Sequence, residues 1–535
     1  MSIIFRPYQD SDYAALYELA KKYRAILYCL PTGGGKGTVI SRMVQNAVAK
    51  GKSVIFAVRG LALVNDMSRR LQRLGIKHGV LMGGHKRERW HSVQVASIDT
   101  LYRMENQPPC DLIIIDEART FMSPTGRKVL DSYPKNVKII GMDATPALIS
   151  GRGLGVDVDG IFEAMVTGPQ EQELIDMGFL SPSIVIGSPS TPDVSGVEKT
   201  GGDYNQKQLA EVCDKVKLVG DIVENWLRHG EYRKTLAFGV DRSHAMHIKE
   251  QFCAAGCEWE YVDANTPNDE REDIYKRLSH GSLIGLSNVG VCGVGWDCPV
   301  ISCIIAGRPT ASLPLWRQMI GRGGRICPVC AIEGRCSHHP NGKRNFIVLD
   351  HAGNTIGHWP YGFFETPPLW TLDGIVRKKK KKGDEDEKGD PISQCKRPVA
   401  IPESGVPATF TGPISSDGKF MLPSFHYFKS GPEACPYCGI PLRTAGRTVE
   451  VEAGTLVDLS ALRQRAKDEG KQKSAVMLAH EERMKSRYLE LARIAATKVR
   501  KDGSPWSPKW AAMAFHKEFH RWPTKAWKEE AAKAL

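Results

Sequence analysis

Leu30-Pro31-Thr32-Gly33-Gly34-Gly35-Lys36-Gly37-Thr38 decides how this chain is read. An apolar run, Ala25 to Leu30, leads into it, and a helical pattern follows from Val39. Strand, glycine-rich turn and helix form the setting of a phosphate-binding loop. Glycines let the backbone approach a polyphosphate and aim several N–H groups at it. The helix adds its positive N-terminal end. Thr32, Gly33, Gly34, Gly35, Lys36, Gly37 and Thr38 are therefore the expected ATP-binding residues, with Lys36 reaching the terminal phosphates. In such loops a Ser or Thr usually follows the lysine, and its hydroxyl binds Mg²⁺. Gly37 stands there in this chain, and the hydroxyl comes one residue later, at Thr38, about 100° further round the helix.

Working outward, apolar runs at Ile26–Leu30, Val54–Val58, Val93–Ile98, Leu112–Asp116 and Lys138–Met142 alternate with helical patterns. This predicts a parallel sheet covered on both faces by helices. Ligands in such sheets bind beyond the carboxyl ends of the strands. Asp116-Glu117-Ala118-Arg119 lies at one such end. Two carboxylates at the end of a buried strand are costly unless a cation or a reaction uses them. Asp116 is expected to hold Mg²⁺, and Glu117 to orient and deprotonate the attacking water.

With these residues in place, the chain resembles superfamily 2 helicases of the phage and prophage type, related to restriction-enzyme and DEAD/DEAH helicases. Several short stretches carry the resemblance in the family's order. Arg6-Pro7-Tyr8-Gln9 resembles the N-terminal motif of restriction-type helicases, which implies that Gln9 reads the adenine edge. Arg59-Gly60-Leu61 and Ser97-Ile98-Asp99-Thr100-Leu101 resemble strand-binding motifs, which implies nucleic-acid backbone contacts by Arg59 and Thr100. Asp143-Ala144-Thr145-Pro146 resembles motif III, which links nucleotide state to domain closure. Arg119 departs from the His or Asp that the family usually carries at that position.

A second set of runs follows at Thr235–Phe238, Trp259–Val262, Leu283–Ser287, Cys303–Ala306 and Phe346–Asp350. It predicts a second RecA-like domain. Gln318-Met319-Ile320-Gly321-Arg322-Gly323-Gly324-Arg325 fits the family's motif VI, with Gln318, Arg322 and Arg325 expected in the catalytic set. Two arginines three apart share one side of a helix or turn and can meet charge developing on the γ-phosphate. Gly293-Val294-Gly295-Trp296-Asp297-Cys298-Pro299 fits motif V, which implies nucleotide contacts by Gly295 and Asp297. The expected fold is two tandem RecA-like α/β domains, 1–165 and 166–375, with a small Cys-rich segment and a helical C-terminal region.

Cys327, Cys330, Cys336 and His338-His339 directly follow motif VI. Their spacing can supply four ligands to tetrahedral Zn²⁺, with His338 taken as the fourth and His339 as the alternative. Cys435-Pro436-Tyr437-Cys438 is half of a zinc-ribbon pattern within 391–455, and Cys395 is the nearest upstream partner. Lys378–Lys382 beside Asp384–Glu387 reads as a solvated linker, 376–390. The tail, 456–535, is helical in pattern, basic and aromatic. Trp510, Met513, Ala514 and Lys517 share one helical stripe, and a small helical core is the expected role of most of the tail's aromatics.

The net charge of +13 favours a polyanionic partner, nucleic acid first. No apolar run is long enough to cross a bilayer, and Met1–Arg6 lacks the pattern of a secretion signal, so the expected setting is cytoplasmic and away from membranes. In a reducing compartment the 14 cysteines do not imply disulfides. The reading is an ATP-hydrolysing helicase or translocase using ATP, Mg²⁺ and Zn²⁺. The resemblance favours DNA over RNA as its track. Two alternatives stand beside it: a duplex translocase that does not separate strands, and a catalytically weakened nucleic-acid-binding module, the latter kept open by Gly37 and Arg119.

Overall fold

The computed structural model describes residues 3–85, 88–188, 197–213, 216–292, 297–374, 392–395, 398–400, 421–423, 426–429, 456–497, 508–519 and 521–534. Residues 1–376 and 451–535 form one unit and 377–450 another.

The first sheet uses every apolar run expected in the first lobe. Its strands are β1 (Ala25–Cys29), β2 (Val54–Val58), β3 (Gly79–Leu81), β4 (Val93–Ser97), β5 (Leu112–Asp116), β6 (Lys138–Asp143) and β7 (Ala164–Thr167). They run in the order β3-β4-β2-β5-β6-β1-β7, all parallel. Strands β1, β2 and β4 are buried at all five positions, as continuous apolar runs require when helices cover both faces. The register sets Cys29 beside Asp143 and Asp116 beside Met142. The carboxyl ends of β1, β5 and β6 therefore lie side by side.

β7 was not evident in the sequence, because it is a half-exposed edge of four residues rather than a buried run. β3, with only three residues, was likewise missed.

The second sheet begins at β8 (Ser183–Gly187). A short antiparallel hairpin follows, β9 (Lys199–Thr200) with β10 (Asp203–Tyr204). Then come β11 (Thr235–Phe238), β12 (Trp259–Val262), β13 (Gly285–Asn288), β14 (Cys303–Ala306) and β15 (Phe346–Asp350). The order β12-β13-β11-β14-β15-β8 is parallel throughout. The short strand Val457–Asp458, in the stretch expected to be only helical, adds antiparallel to β8. A buried ion pair ties the helix Leu313–Ile320 to the segment between the sheets: Arg317 meets Glu171 at 2.6 Å, with side-chain exposures of 1% and 7%.

Among its described residues the tail forms the helices Ser460–Thr497, Pro508–Phe519 and Lys525–Ala534. Phe515 is their centre, edge-on to Tyr488 at 5.6 Å and to Trp527 at 5.9 Å. The expected stripe is corrected by one residue. Met513 is 62% exposed, while Ala511 and Phe515 are fully buried. In the second unit, Ile392–Cys395 pairs antiparallel with His426–Lys429, and Pro398–Ala400 with Met421–Pro423. Cys435, Cys438 and the charged linker lie outside the described residues, as does the side chain of Cys395. No described helix is long and apolar enough to cross a membrane.

Candidate nucleotide site and metal cluster

The phosphate loop joins β1 to the helix α2 (Lys36–Ala49). Gly33 and Gly35 have φ of +84° and +92°, which L side chains rarely adopt. Each also leaves room for a neighbour. A β-carbon on Gly33 would meet Leu180 at 2.8 Å and Arg325 of the second lobe at 3.1 Å, and one on Gly35 would meet the Gln9 amide at 2.5 Å. Lys36 Nζ donates to the Leu30 and Pro31 carbonyls at 2.8 and 3.3 Å, so the loop's own backbone holds its charge in place.

The first helix, α1 (Pro7–Lys22), presents Gln9 to the loop. Gln9 accepts from Arg6 N at 2.9 Å and donates to the Gly35 carbonyl at 3.2 Å, and Tyr8 Oη donates to the Gly34 carbonyl. Beside them the Arg6 guanidinium stacks over Phe179, 4.4 Å from the ring centre. Sequence reasoning missed Phe179, which sits in no recognisable motif.

At the end of β5, Asp116 is pushed up to about 7 by burial and then by the neighbouring Glu117. A carboxyl so placed calls for a cation. Glu117 itself adopts φ +53° and ion-pairs with Arg119. Arg119 also approaches Asp143, its backbone N–H donating at 3.1 Å and its Nη1 lying 3.5 Å from Oδ1, and it reaches Thr145 Oγ1. Burial opposes the charge on Arg119, but Asp143, Glu117 and Asp116 outweigh it and raise its pKa. From the second lobe, Gln318 turns its amide oxygen to Arg119 and accepts from Thr145 Oγ1 at 3.1 Å. The Asp116–Arg119, Asp143–Pro146 and Gln318–Arg325 stretches thus meet at one guanidinium.

Arg322 is 4% exposed, and burial together with Arg325 lowers it to about 10. Arg325 ion-pairs with Asp297. Gly295 lies outside the described residues. Thr32, Gly33, Gly35, Lys36, Gly37, Asp116, Glu117, Asp297, Arg322 and Arg325 all line one cleft of about 430 Å³ between the lobes. Arg6, Phe179, Asp66 and Arg70 also line it. Gln9, Gly34, Thr38 and Gln318 are not on that lining; Gln9 acts from behind the loop, through the Gly35 carbonyl, and Gln318 one layer behind the cleft, through Thr145 and Arg119. Arg59 and Asp99 pair at 3.6 Å, placing the ends of β2 and β4 together on an exposed face, with Thr100 in the next residue.

Among the described residues, Cys327, Cys330, Cys336 and His339 bring their ligand atoms within 4.8 Å of one another. The expected fourth ligand, His338, is corrected to His339. His338 Nε2 is turned away to the Ser279 carbonyl at 3.0 Å. His339 Nδ1 lies 3.2 Å from Cys336 Sγ and 3.6 Å from Cys330 Sγ, and its Nε2 is held by Val300 O at 3.1 Å and Ser302 Oγ at 3.2 Å. A tight turn, with reciprocal backbone bonds between Cys336 and His339, sends the two adjacent imidazoles opposite ways.

Residues 2–148 match the family described as "Type III restriction enzyme, res subunit", and residues 214–327 match "Helicase conserved C-terminal domain". The two matches fall one on each lobe, in the order in which the two sheets follow along the chain. The chain is 29% identical over 345 residues to the "Putative ATP-dependent helicase IRC3" of Saccharomyces cerevisiae, covering 60% of this chain and 50% of that protein. It is 28% identical over 329 residues to a "51.5 kDa protein" of a Lactococcus phage, covering 61% of this chain and 66% of that one. The chain therefore spans about half to two thirds of the length of these relatives. In fold it is similar to the fragment structure of a putative HsdR subunit of a type I restriction enzyme from Vibrio vulnificus, with a TM-score of 0.50, 19% identity, and coverage of 68% and 67% of the two chains.

Proposed function

We propose that this chain is an ATP-hydrolysing motor that unwinds or moves along nucleic acid. The observation that carries this is the convergence of Lys36, Asp116 and Glu117 from one lobe with Arg322 and Arg325 from the other on one cleft. Lys36 and the loop amides hold the phosphates, and Asp116 holds Mg²⁺, which neutralises phosphate charge. Glu117 takes the proton of the attacking water. The two arginines meet charge that builds on the transferred phosphoryl group. Gln9, buried beneath the Arg6–Phe179 stack and bonded to the phosphate loop, is assigned the base end of the nucleotide through the resemblance of Arg6–Gln9 to the restriction-type motif. Because both lobes supply parts of the site, closing and reopening the cleft moves one lobe against the other, and Arg59 and Thr100 pass that motion to a bound strand.

The net charge of +13 supports a polyanionic track, and the restriction-type kinship favours DNA over RNA. Zn²⁺ is the ion that fits the Cys/His cluster. Tetrahedral zinc, with Zn–S of about 2.3 Å, sets sulfurs about 3.8 Å apart. Cys336 lies 3.8 Å from Cys327 and 3.5 Å from Cys330. The ten cysteines whose side chains are described are free thiols, which supports a reducing, cytoplasmic setting.

The test is Mg²⁺-dependent ATP hydrolysis with single-stranded DNA, duplex DNA or RNA, beside Lys36→Ala and Glu117→Gln. Stimulation by a polymer, lost in both variants, is the expected result. Absence of hydrolysis on every polymer, with nucleic-acid binding intact, would replace this reading with that of a binding module.

A further inference from the structure

The missing hydroxyl at Gly37 has a counterpart on the neighbouring helix, α3 (Leu61–Arg73). Arg70 Nε donates to Asp66 Oδ2 at 2.7 Å, one helical turn away. That bond leaves the Nη end of the guanidinium directed across to α2. A β-carbon on Gly37 would lie 2.8 Å from Arg70 Nη1 and 3.0 Å from its Cζ. A Ser or Thr side chain at position 37 would therefore meet the guanidinium and displace it from this place. Arg70, Asp66 and Gly37 line the same cleft as Lys36, Asp116, Glu117 and Arg322. An ordinary i,i+4 ion pair points along the outside of its helix and contributes little. This one is only 34% exposed at Arg70 and has its charged end over the phosphate loop.

We propose that Arg70 is a nucleotide-binding residue that meets the β- and γ-phosphates where most phosphate loops present a hydroxyl. This rests on the ATP-site reading above. Gly37 lies immediately after the lysine that reaches the terminal phosphates, so a group standing over Gly37 stands at that end of the nucleotide. A guanidinium there offers two N–H donors and a fixed positive charge to phosphate oxygens. Asp66 engages Nε and sets the angle of the fork without using the Nη donors. The chain thus exchanges an indirect contact, hydroxyl to metal to phosphate, for a direct one. Its grip on the polyphosphate leans less on the divalent ion.

The test is equilibrium binding by the full chain, using displacement of a fluorescent ATP analogue by ATP, ADP and AMP, with Mg²⁺ or with EDTA. Arg70→Gln should weaken ATP and ADP by about tenfold and leave AMP within about twofold, with the larger loss in EDTA. Arg70→Lys, which keeps the charge but not the fork, should recover part of that loss. In Gly37→Ser with Arg70→Ala, the space is cleared for a hydroxyl, and ATP affinity should return only when Mg²⁺ is present.

Equal weakening of ATP, ADP and AMP would overturn the proposal and leave Arg70 as a packing residue. So would ATP binding by Arg70→Gln that matches the unaltered chain. If the unaltered chain binds no ATP, or binds it as well with Lys36→Ala, the ATP-site reading fails and takes this proposal with it.

Discussion

Arg119 holds Glu117 in an ion pair at the floor of the cleft, and the same guanidinium touches Asp143, Thr145 and Gln318. A base whose carboxylate is engaged by a permanent cation is poor at accepting a proton from water. With Glu117 as the proposed base, turnover requires Arg119 to let go, and its links to Thr145 and Gln318 give lobe movement a handle on that release. Arg119→His, which restores the family's usual residue type, should raise polymer-independent ATP hydrolysis several-fold and reduce the stimulation by nucleic acid. Steady-state hydrolysis with and without polymer measures both. Loss of basal turnover to the level of Glu117→Gln would show instead that Arg119 supports the reaction. Arg119→Ala is the poorer probe, because it strands the buried Asp143 and Glu117 without a counter-charge, at about 3–5 kcal/mol.

Thr145 Oγ1 donates to Gln318 across the two lobes, at 3.1 Å. It joins motif III directly to motif VI without touching the cleft, so its loss should uncouple rather than abolish hydrolysis. Thr145→Ala and Gln318→Ala are each expected to keep at least about a third of the ATPase rate while strand displacement or translocation falls tenfold or more. Such a neutral bond contributes about 1 kcal/mol to stability, so both variants should remain folded. A double variant no worse than either single one identifies the pair as a unit. If hydrolysis and movement fall together, the link serves the chemistry and not its transmission.

Much of this site could be read from the chain because the fold places motifs at strand ends. The buried runs leading into Pro31, Glu117 and Ala144 sit in register as β1, β5 and β6, so three sequence-local signals become one site. What the sequence hid falls into two kinds. β7, β8 and Val457–Asp458 lie at or towards the edge of their sheets and lack the long uninterrupted apolar signature of a central strand. Arg70, Phe179 and the choice of His339 over His338 depend on which way side chains face after packing. Spacing places both histidines within reach of Cys336, and only the turn between Cys336 and His339 separates them. The Gly37 departure was visible, but the guanidinium standing over it, 33 residues on, was not.

His351, immediately after β15, gives the fold a dependence on acid. Its Nε2 is buried without a hydrogen-bond partner, and burial, with His244 nearby, lowers its pKa from 6.5 to about 3. A histidine depressed in the folded state binds its proton more readily when unfolded. Its contribution to stability is therefore complete above about pH 6.5 and is lost as pH falls toward 3. The midpoint of thermal unfolding should fall across that window. His351→Asn, which cannot take up a proton, should fall less steeply between pH 6.5 and 4.5. Parallel curves for the two proteins would assign the acid loss to other groups.

Cys327 lies two residues after Arg325, and Ile326 and Pro328 line the nucleotide cleft, so the metal cluster forms part of the wall that carries the second-lobe arginines. Removing the ion should cost both folding of residues 327–339 and the placement of Arg325. Purified protein is expected to carry about one zinc per chain at the described cluster, by elemental analysis. Cys330→Ser and His339→Asn should each lose that zinc and lower ATP hydrolysis about tenfold or more, with a smaller effect on nucleotide affinity, because Lys36 and the loop amides are in the other lobe. His338→Ala should keep the zinc, since that ring is turned to the Ser279 carbonyl. The zinc ribbon sketched by Cys395, Cys435 and Cys438 would raise the total above one, and Cys330→Ser would then lower it by one ion rather than to zero. Loss of zinc from His338→Ala and its retention by His339→Asn would reverse the assignment of the fourth ligand. Full activity in a zinc-free Cys330→Ser protein would detach the cluster from the arginines altogether.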